Sequence, residues 1–455
     1  MKHGLDVYKI ILASRYLVKR RITYFAIVAV ALCVFIVVVV MTVLTGLVSD
    51  FKQANHGFTG DCVVGTESLV GFAYFQELAQ KLEQQEYVEA VSPVIKSYAF
   101  LSPVWTERGR GVQILGIEPV RHSRVTNFER TLHYRKGNVD KAFEPVYDPN
   151  LPGCVLGIDL VFERGPEGDY TFDSSPIRVG LAITCFPLTA KGALARAATG
   201  LVNTKTFYFS DTSHTGLART DNSLVYLPLE QAQLMCGMDG PAPRVSALYV
   251  KFKPDVALQT GCDNVASLWQ NFKQQKAEAK YAYSLDTVTV QSWKEYRRGF
   301  VAAMEKEETM MIVMFSLVGI TTVFIVFVVF YMVISHKSKD IGVLKSIGVS
   351  NANIMQLFMG FAFSVGFLGS VIGVLLGWLF LLKMNQIEGW LFEKFGFQLW
   401  DRTIYAIGDI PSRVEFQVLV TITLSAIVTC LMGALVPSWQ AARLSPVETL
   451  HVSRL

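Results

Sequence analysis

Four stretches of the chain are apolar over membrane length and carry no charged side chain: residues 22–48, 309–334, 354–382 and 416–437. About 20 such residues cross a bilayer core as a helix. A buried helix of a soluble protein rarely stays uncharged for so long, so the pattern predicts four transmembrane helices. Basic residues precede the first run, as they would a cleaved signal peptide. Its apolar stretch, however, outruns the roughly 7–15 residues of such a segment, and no small-x-small site closes it. An uncleaved anchor is expected.

The pattern changes between the first and second runs. In "AYFQELAQKLEQQEY" (73–87), Phe75, Leu78, Leu82 and Tyr87 recur at near-helical spacing. "VEAVSPVI", "GVQILGI", "GCVLGIDLVF" and "VSALYVKF" are short and β-prone, and "VASLWQNFKQQ" follows as a helix. The expectation for residues 49–308 is a folded α+β domain, its last segment, "SWKEYRRGFVAAMEKEE", forming a charged helical stalk into the second span. In the third span "GFLGSVIGVLLGW" sets Gly369, Gly373 and Gly377 four residues apart, a face without Cβ atoms on which another helix can sit closely.

Composition agrees with a mixed protein. Of 455 residues, 51% are hydrophobic and 18% charged, the mean hydropathy is +0.35, and the net charge is only +4. No long basic tract points to nucleic acid. Charge does set an orientation. Lys2, Lys9, Arg15, Lys19, Arg20 and Arg21 against Asp6 place the N-terminus in the cytoplasm. The order is then a cytoplasmic amphipathic helix (1–21), the first span (22–48), an outer domain with stalk helices (49–308), the second span (309–334) and a cytoplasmic coupling loop (335–353). The third span (354–382), a short outer loop (383–415), the fourth span (416–437) and a cytoplasmic tail (438–455) follow. Five of the seven cysteines (Cys62, Cys154, Cys185, Cys236 and Cys262) fall in the outer domain; no CxxC occurs, and their pairing is not readable from spacing.

Catalytic signatures are missing. There is no G-x-x-x-x-G-K-[ST], no H-E-x-x-H and no G-x-S-x-G, and the histidines are scattered singly. No span carries an Asp, Glu, Lys, Arg or His for a proton or ion relay. Energy for any work must come from a partner. The segment "SHKSKDIGVLKSIGVSNANIM" (335–355) is a candidate place to receive it. On a helix, Ile341, Leu344 and Ile347 form a narrow apolar stripe flanked by Lys337, Lys339 and Lys345. Gly348 is placed to end that helix and Ser350 to cap the next. Such a helix, parallel to the membrane, either lies on lipid headgroups or docks in a partner's groove.

The run from this segment into the third span resembles the core of FtsX-like, MacB-type ABC permeases, whose loop between spans two and three reads K-x-x-x-I-x-x-L-(K/R)-x-x-G-x-(S/T). The C-terminal stretch "TIYAIGDIPSR…VPSWQAARLSPVETL" resembles the lipoprotein-releasing branch of that family, LolC and LolE. The resemblance implies four transmembrane helices with a MacB-like periplasmic domain between the first two, and a non-catalytic permease subunit in a bacterial inner membrane. It implies coupling contacts at Lys337, Lys339, Asp340, Ile341, Leu344 and Lys345. The partners would be a cytoplasmic LolD-like ABC ATPase dimer, a second permease subunit, acylated lipoproteins and a periplasmic LolA-like carrier. ATP and Mg²⁺ would sit on the ATPase, with no cofactor on this chain. Phe25, Val28, Leu32 and Phe35 share one face of the first span and either line a cargo cavity or simply face lipid. A carrier-binding hook is sought in 187–206, with Lys191, Arg196 and Lys205, although the segment lacks the expected prolines and an ordinary surface loop has the same features. Two other readings stay open: a MacB-like efflux permease working with an outer-membrane duct, and an FtsX-like regulator of a cell-wall hydrolase.

Overall fold

The computed structural model describes residues 21–106, 109–162, 170, 178–194, 202–396, 410–412, 414 and 416–443, with backbone alone at 21–23 and 336–340. The expected amphipathic helix 1–21 lies outside the described residues apart from Arg21, as do 397–409 and the tail beyond Arg443. The chain forms two compact units. One holds the apolar helices; the other is built from residues 49–302.

In the second unit the alternation of side chains across extended strands dictates the architecture. The strands are β1 (Cys62–Gly65), β2 (Phe72–Ala73), β3 (Val88–Pro103), β4 (Arg110–Ile117), β5 (Gly153–Gly157), β6 (Gly180–Cys185), β7 (Asn203–Ser213), β8 (Leu224–Pro228), β9 (Arg244–Val245), β10 (Ala247–Phe252) and β11 (Thr289–Ser292). Nine of them form one sheet in the order β11-β1-β10-β3-β4-β8-β5-β7-β6, and β2 pairs with β9. The 16-residue β3 is long enough to pair twice. Val94–Leu101 align with β4, while Ala99–Pro103 align with β6, so the sheet curls back on itself.

Both faces of the sheet are covered. Cys62, Val64, Val91, Ile95, Ile114 and Leu156 point into one core. Their alternating neighbours Val63, Ala90, Val94, Leu115 and Val155 point into a second. This two-sided burial explains why the strands read as short continuous apolar runs rather than polar–apolar alternations. The longer helices that frame the sheet or lead away from it are α1 (Arg21–Thr59), α2 (Phe75–Glu83), α3 (Pro119–Val125), α4 (Leu229–Cys236) and α5 (Leu258–Gln275). Leu78 and Leu82 of α2 and Val265, Trp269 and Phe272 of α5 fill the first core; Phe58 at the end of α1 and Val125 of α3 enter the second. "GCVLGIDLVF" is β5 only as far as Gly157, after which Ile158–Val161 turn helical.

In the membrane unit, α6 (Arg298–Ser346), α7 (Asn351–Phe395) and α8 (Phe416–Arg443) join α1. All four are long and apolar enough to span a bilayer. Each runs beyond the boundary expected from hydropathy, because polarity marks where a membrane ends whereas a helix ends only at a backbone stop. Thus α1 continues from Val48 to Thr59, α7 from Leu382 to Phe395 into the expected outer loop, and α8 through Pro437 to Arg443. The stretch expected as a separate coupling loop is, up to Ser346, the end of α6 itself.

The glycine face of α7 lies against α1. A Cβ on Gly369 would stand 2.8 Å from Val30 Cγ1, one on Gly373 2.5 Å from the Ala31 carbonyl oxygen, and one on Gly377 2.9 Å from Val38 Cγ1. Val30, Val34 and Val38 are the buried stripe of α1, and Phe35 meets Phe380 edge-on at 5.6 Å. Lipid tails are as apolar as these side chains, so close van der Waals contact, not hydrophobic transfer, holds the pair together. Gly373→Leu is therefore expected to destabilise the detergent-solubilised protein by about 1–3 kcal/mol. Gly360→Ala, where nothing stands within 4 Å, is expected to be neutral. Thermal unfolding of the two variants beside the parent checks this.

His122 of α3 is enclosed by the rings of Phe128 and Tyr249, with Nδ1 3.1 Å from Ser92 Oγ. Burial pushes its pKa down to about 3. An unfolded chain takes up this proton near pH 6.5 and the folded one does not, so His122 costs stability as pH falls below that value. Between pH 7.5 and pH 5 the loss is about 2 kcal/mol. The fall in melting temperature over that range should be smaller in His122→Gln than in the parent.

Candidate functional site

A domain inserted between two helices must hold the ends of those helices, and in the second unit one side chain does so. Ser292 starts a capping box, accepting from the Glu295 N–H while the Glu295 carboxylate accepts from the Ser292 N–H. The chain turns at Arg297 and enters α6. The Arg297 guanidinium lies over the Phe300 ring at 4.5 Å and the Phe58 ring at 5.1 Å, and its Nε donates to Asn55 Oδ1 at 2.9 Å. Burial lowers the pKa of this guanidinium from its ordinary value. Beside it, the His56 ring lies 5.0 Å from Trp293, and His56 Nε2 is 2.7 Å from Asp61. Burial pushes the Asp61 carboxyl up, but hydrogen bonds from His56 and the Phe252 N–H outweigh it and hold the group below the usual range. Asn55, His56 and Phe58 thus meet Trp293, Arg297 and Phe300, fastening the last turns of α1 to the entry of α6. Sequence reading passed over this clamp, whose partners lie far apart in the chain; an arginine pair, Arg297 and Arg298, between aromatics in a stalk was its one visible signal.

In the membrane unit, α6 ends in a tight reversal. Gly348 adopts φ +92°, a left-handed conformation that side chains resist. The Val349 N–H donates to the Leu344 carbonyl at 3.1 Å and the Gly348 N–H to the Lys345 carbonyl at 3.0 Å, the paired bonds of a Schellman stop. Ser350 then caps α7, its hydroxyl accepting from the Asn353 N–H at 3.4 Å. No proline or early glycine interrupts 335–341, so the helix does not break there to lie flat, as the sequence reading expected.

This changes which side chains a partner can reach. Ile341 is 2% exposed, packed with Ile334, Ile354, Phe358, Ala441 and Ala442. Lys345 Nζ donates to the Ala442 carbonyl at 2.7 Å, serving the C-terminal turn of α8. Leu344 is half-buried. The outward apolar pair is Val343, 51% exposed, and Ile347, 74% exposed, one helical turn apart. The expected contacts Lys337, Lys339 and Asp340 belong to the helix by backbone, but their side chains lie outside the described residues. On α8, Arg443 stacks over the Trp439 ring at 3.9 Å.

The remaining expected residues separate. Phe25, Val28 and Leu32 do lie on one exposed stripe of α1, continued by Ile36 and Val40. Phe35 leaves that stripe for the contact with Phe380. In the hook segment, Lys191 sits in a turn closed by the Leu188↔Leu194 bridge, and Arg196 lies outside the described residues. Lys205 is not on a loop: the β-prone run "NTKTFYFSDTS" draws it into β7, where Nζ donates to Gln231 Oε1 at 2.6 Å. The base of the segment is held by the buried Arg244, which donates to the carbonyls of Leu188, Gly237 and Val70. Among the described residues no group of three His, Cys, Asp or Glu side chains has metal-binding geometry.

Residues 312–446 match the family described as FtsX-like permease C-terminal, so this part of the chain carries an FtsX-like permease domain. Its relatives are similar over nearly the whole length. The lipoprotein-releasing system transmembrane protein LolC of Neisseria meningitidis is 24% identical, with 94% of each chain covered. LolC of Xylella fastidiosa is 23% identical over 94% of this chain and 92% of its own. LolE of Haemophilus influenzae is 22% identical over 94% of both. Among solved structures, the periplasmic region of MacB from Actinobacillus actinomycetemcomitans aligns with 53% of this chain and 92% of its own, at 11% identity and a TM-score of 0.29. The four apolar helices are long enough to cross a membrane, and the LolC and LolE relatives are transmembrane proteins by name.

Removing the clamp's central side chain strips two ring contacts and leaves Asn55 Oδ1 without its guanidinium donor. Arg297→Ala is expected to cost about 2–4 kcal/mol. Arg297→Lys keeps a charge but not the planar stack, and should fall between. Melting of the detergent-solubilised full chain measures both.

Proposed function

We propose that this chain is the permease subunit of an ATP-driven complex that lifts acylated lipoproteins from the outer leaflet of the inner membrane and hands them to a periplasmic carrier. The observation that carries the reading is the similarity to LolC and LolE over 94% of the chain. The N- and C-termini lie in the cytoplasm under this reading, by the excess of Lys and Arg before the first span. A LolD-like ATPase dimer binds ATP and Mg²⁺ and grips the end of α6, and a second permease subunit faces this one. A LolA-like carrier receives the cargo.

The physical demands of that task match the two sites. Extracting acyl chains costs roughly 0.8 kcal/mol per CH₂, so it needs both an external energy source and an apolar holding surface. The stripe Phe25, Val28, Leu32, Ile36 and Val40 offers such a surface on α1. Only 11% of the most apolar window of α6 is buried within the chain, which leaves room for lipid, cargo or the second subunit. On the cytoplasmic side, the exposed pair Val343 and Ile347 is the docking surface for the ATPase. Because the stop at Gly348 fixes the end of α6 against α8, a push there displaces the whole helix rather than bending a loose loop. The Arg297 clamp passes the displacement into the periplasmic domain.

Affinity purification from the native membrane tests this. The parent should carry an ATPase and acylated lipoproteins with it. Ile347→Asp, at an exposed position, should lose at least ten-fold of the ATPase while melting at the parent's temperature. Co-purification of a duct protein or a cell-wall hydrolase in place of lipoproteins moves the function to efflux or to hydrolase regulation. Retention of the ATPase by Ile347→Asp removes the end of α6 as the docking surface.

A further inference from the structure

Four of the five cysteines in the periplasmic domain fall into two side-by-side pairs, and all four belong to the same core. Cys62 on β1 and Cys262 on α5 are in sulfur–sulfur hydrogen-bond contact, as are Cys185 at the end of β6 and Cys236 at the end of α4. Neighbouring contacts fix each meeting independently. Beside the first pair, the Asp61 carboxylate accepts from the Phe252 N–H at 2.7 Å, and the Phe252 ring packs onto Gly261 with no room for a Cβ. Beside the second, Asn203 is the register partner of Cys185, and its Nδ2 donates to the Met235 carbonyl at 3.2 Å. The chain therefore reaches both contacts through ordered backbone on either side. Cys154, the fifth, is buried on β5, where burial pushes its thiol up.

We propose that Cys62–Cys262 and Cys185–Cys236 are two disulfides of the mature protein, the first tying β1 to α5 and the second tying β6 to α4. In the structure all seven cysteines are thiols, so this is an oxidation that follows export of the domain, and it rests on residues 49–302 lying outside the inner membrane. The oxidant is a protein disulfide of the exported thiol–disulfide exchange class. The Cys262 thiolate attacks one sulfur of that disulfide and expels the other as thiolate. Cys62 then gives up its proton and attacks the Cys262 side of the mixed disulfide, releasing the oxidant as a dithiol. Two protons and two electrons leave the pair, and the same holds for Cys236 and Cys185. Within each pair the hydrogen bond from its neighbour lowers the thiol of Cys262 or Cys236 from its ordinary value.

The test is differential alkylation of the full-length protein, quenched with acid in cells and denatured with N-ethylmaleimide, then reduced and labelled with iodoacetamide. Peptide mass spectrometry reads which label each cysteine carries. Expected are iodoacetamide on Cys62, Cys262, Cys185 and Cys236 and N-ethylmaleimide on Cys33, Cys154 and Cys430, with the two cross-linked peptide pairs present before reduction. Cys62→Ser should free Cys262 alone, and Cys185→Ser should free Cys236 alone. N-ethylmaleimide on all seven, or any other pairing, overturns the proposal. In the first case diamide treatment of the purified protein separates the causes: closure of the same two pairs shows sound geometry in a domain that meets no oxidant, and no closure shows the geometry to be wrong.

Discussion

Everything in this protein hangs on the closure of a domain inserted between two helices. Residues 49–302 leave α1 and must return to α6, and the chain resolves this by burying a guanidinium between Phe58 and Phe300 and against Asn55. A planar cation suits the place better than any neutral side chain. It stacks on two rings at once and spends its Nε–H on an amide oxygen that would otherwise be left dry. The capping box at Ser292 and the His56–Trp293 stack set the backbone so that Arg297 arrives in position. Without such a clamp, motion in one of the two helices need not be felt by the other.

The end of α6 is the corresponding fixed point in the membrane unit. Lys345 on the Ala442 carbonyl, Ile341 in a pocket of Ile354 and Phe358, and the Gly348 stop make one rigid corner. The corner is stiff because it spends internally residues that the sequence pattern offered to a partner. The same logic orders the spans. Glycines at 369, 373 and 377 let α7 approach the valine stripe of α1, and Gly433 of α8 meets the Val323 carbonyl and Val326 of α6. Close backbone approach replaces the hydrophobic effect that lipid cannot provide.

Much of this was legible in the chain. Uncharged runs of membrane length gave the four helices, because an unpaired charge in hydrocarbon is too costly to hide. The α+β character of the inserted domain followed from short apolar runs broken by turns. The stop at Gly348 and the cap at Ser350 were readable too, since both are local: one needs a residue tolerant of positive φ, the other a hydroxyl within three residues of a free N–H. The glycine face of α7 was visible for the same reason, as a spacing on one helix.

What the sequence by itself determined, then, was each property that a residue settles with its own near neighbours: span, helix stop, strand tendency, glycine face. The tertiary structure alone decided which side of a helix is spent internally. Ile341 and Lys345 look as available as Ile347 until α8 is in place, and Phe35 looks equivalent to Leu32 until Phe380 meets it. It alone drew Lys205 into a strand, joined Asn55 to Arg297, and brought Cys62 to Cys262. Those outcomes depend on contacts between residues far apart in the chain, and periodicity carries no information about a partner it does not contain.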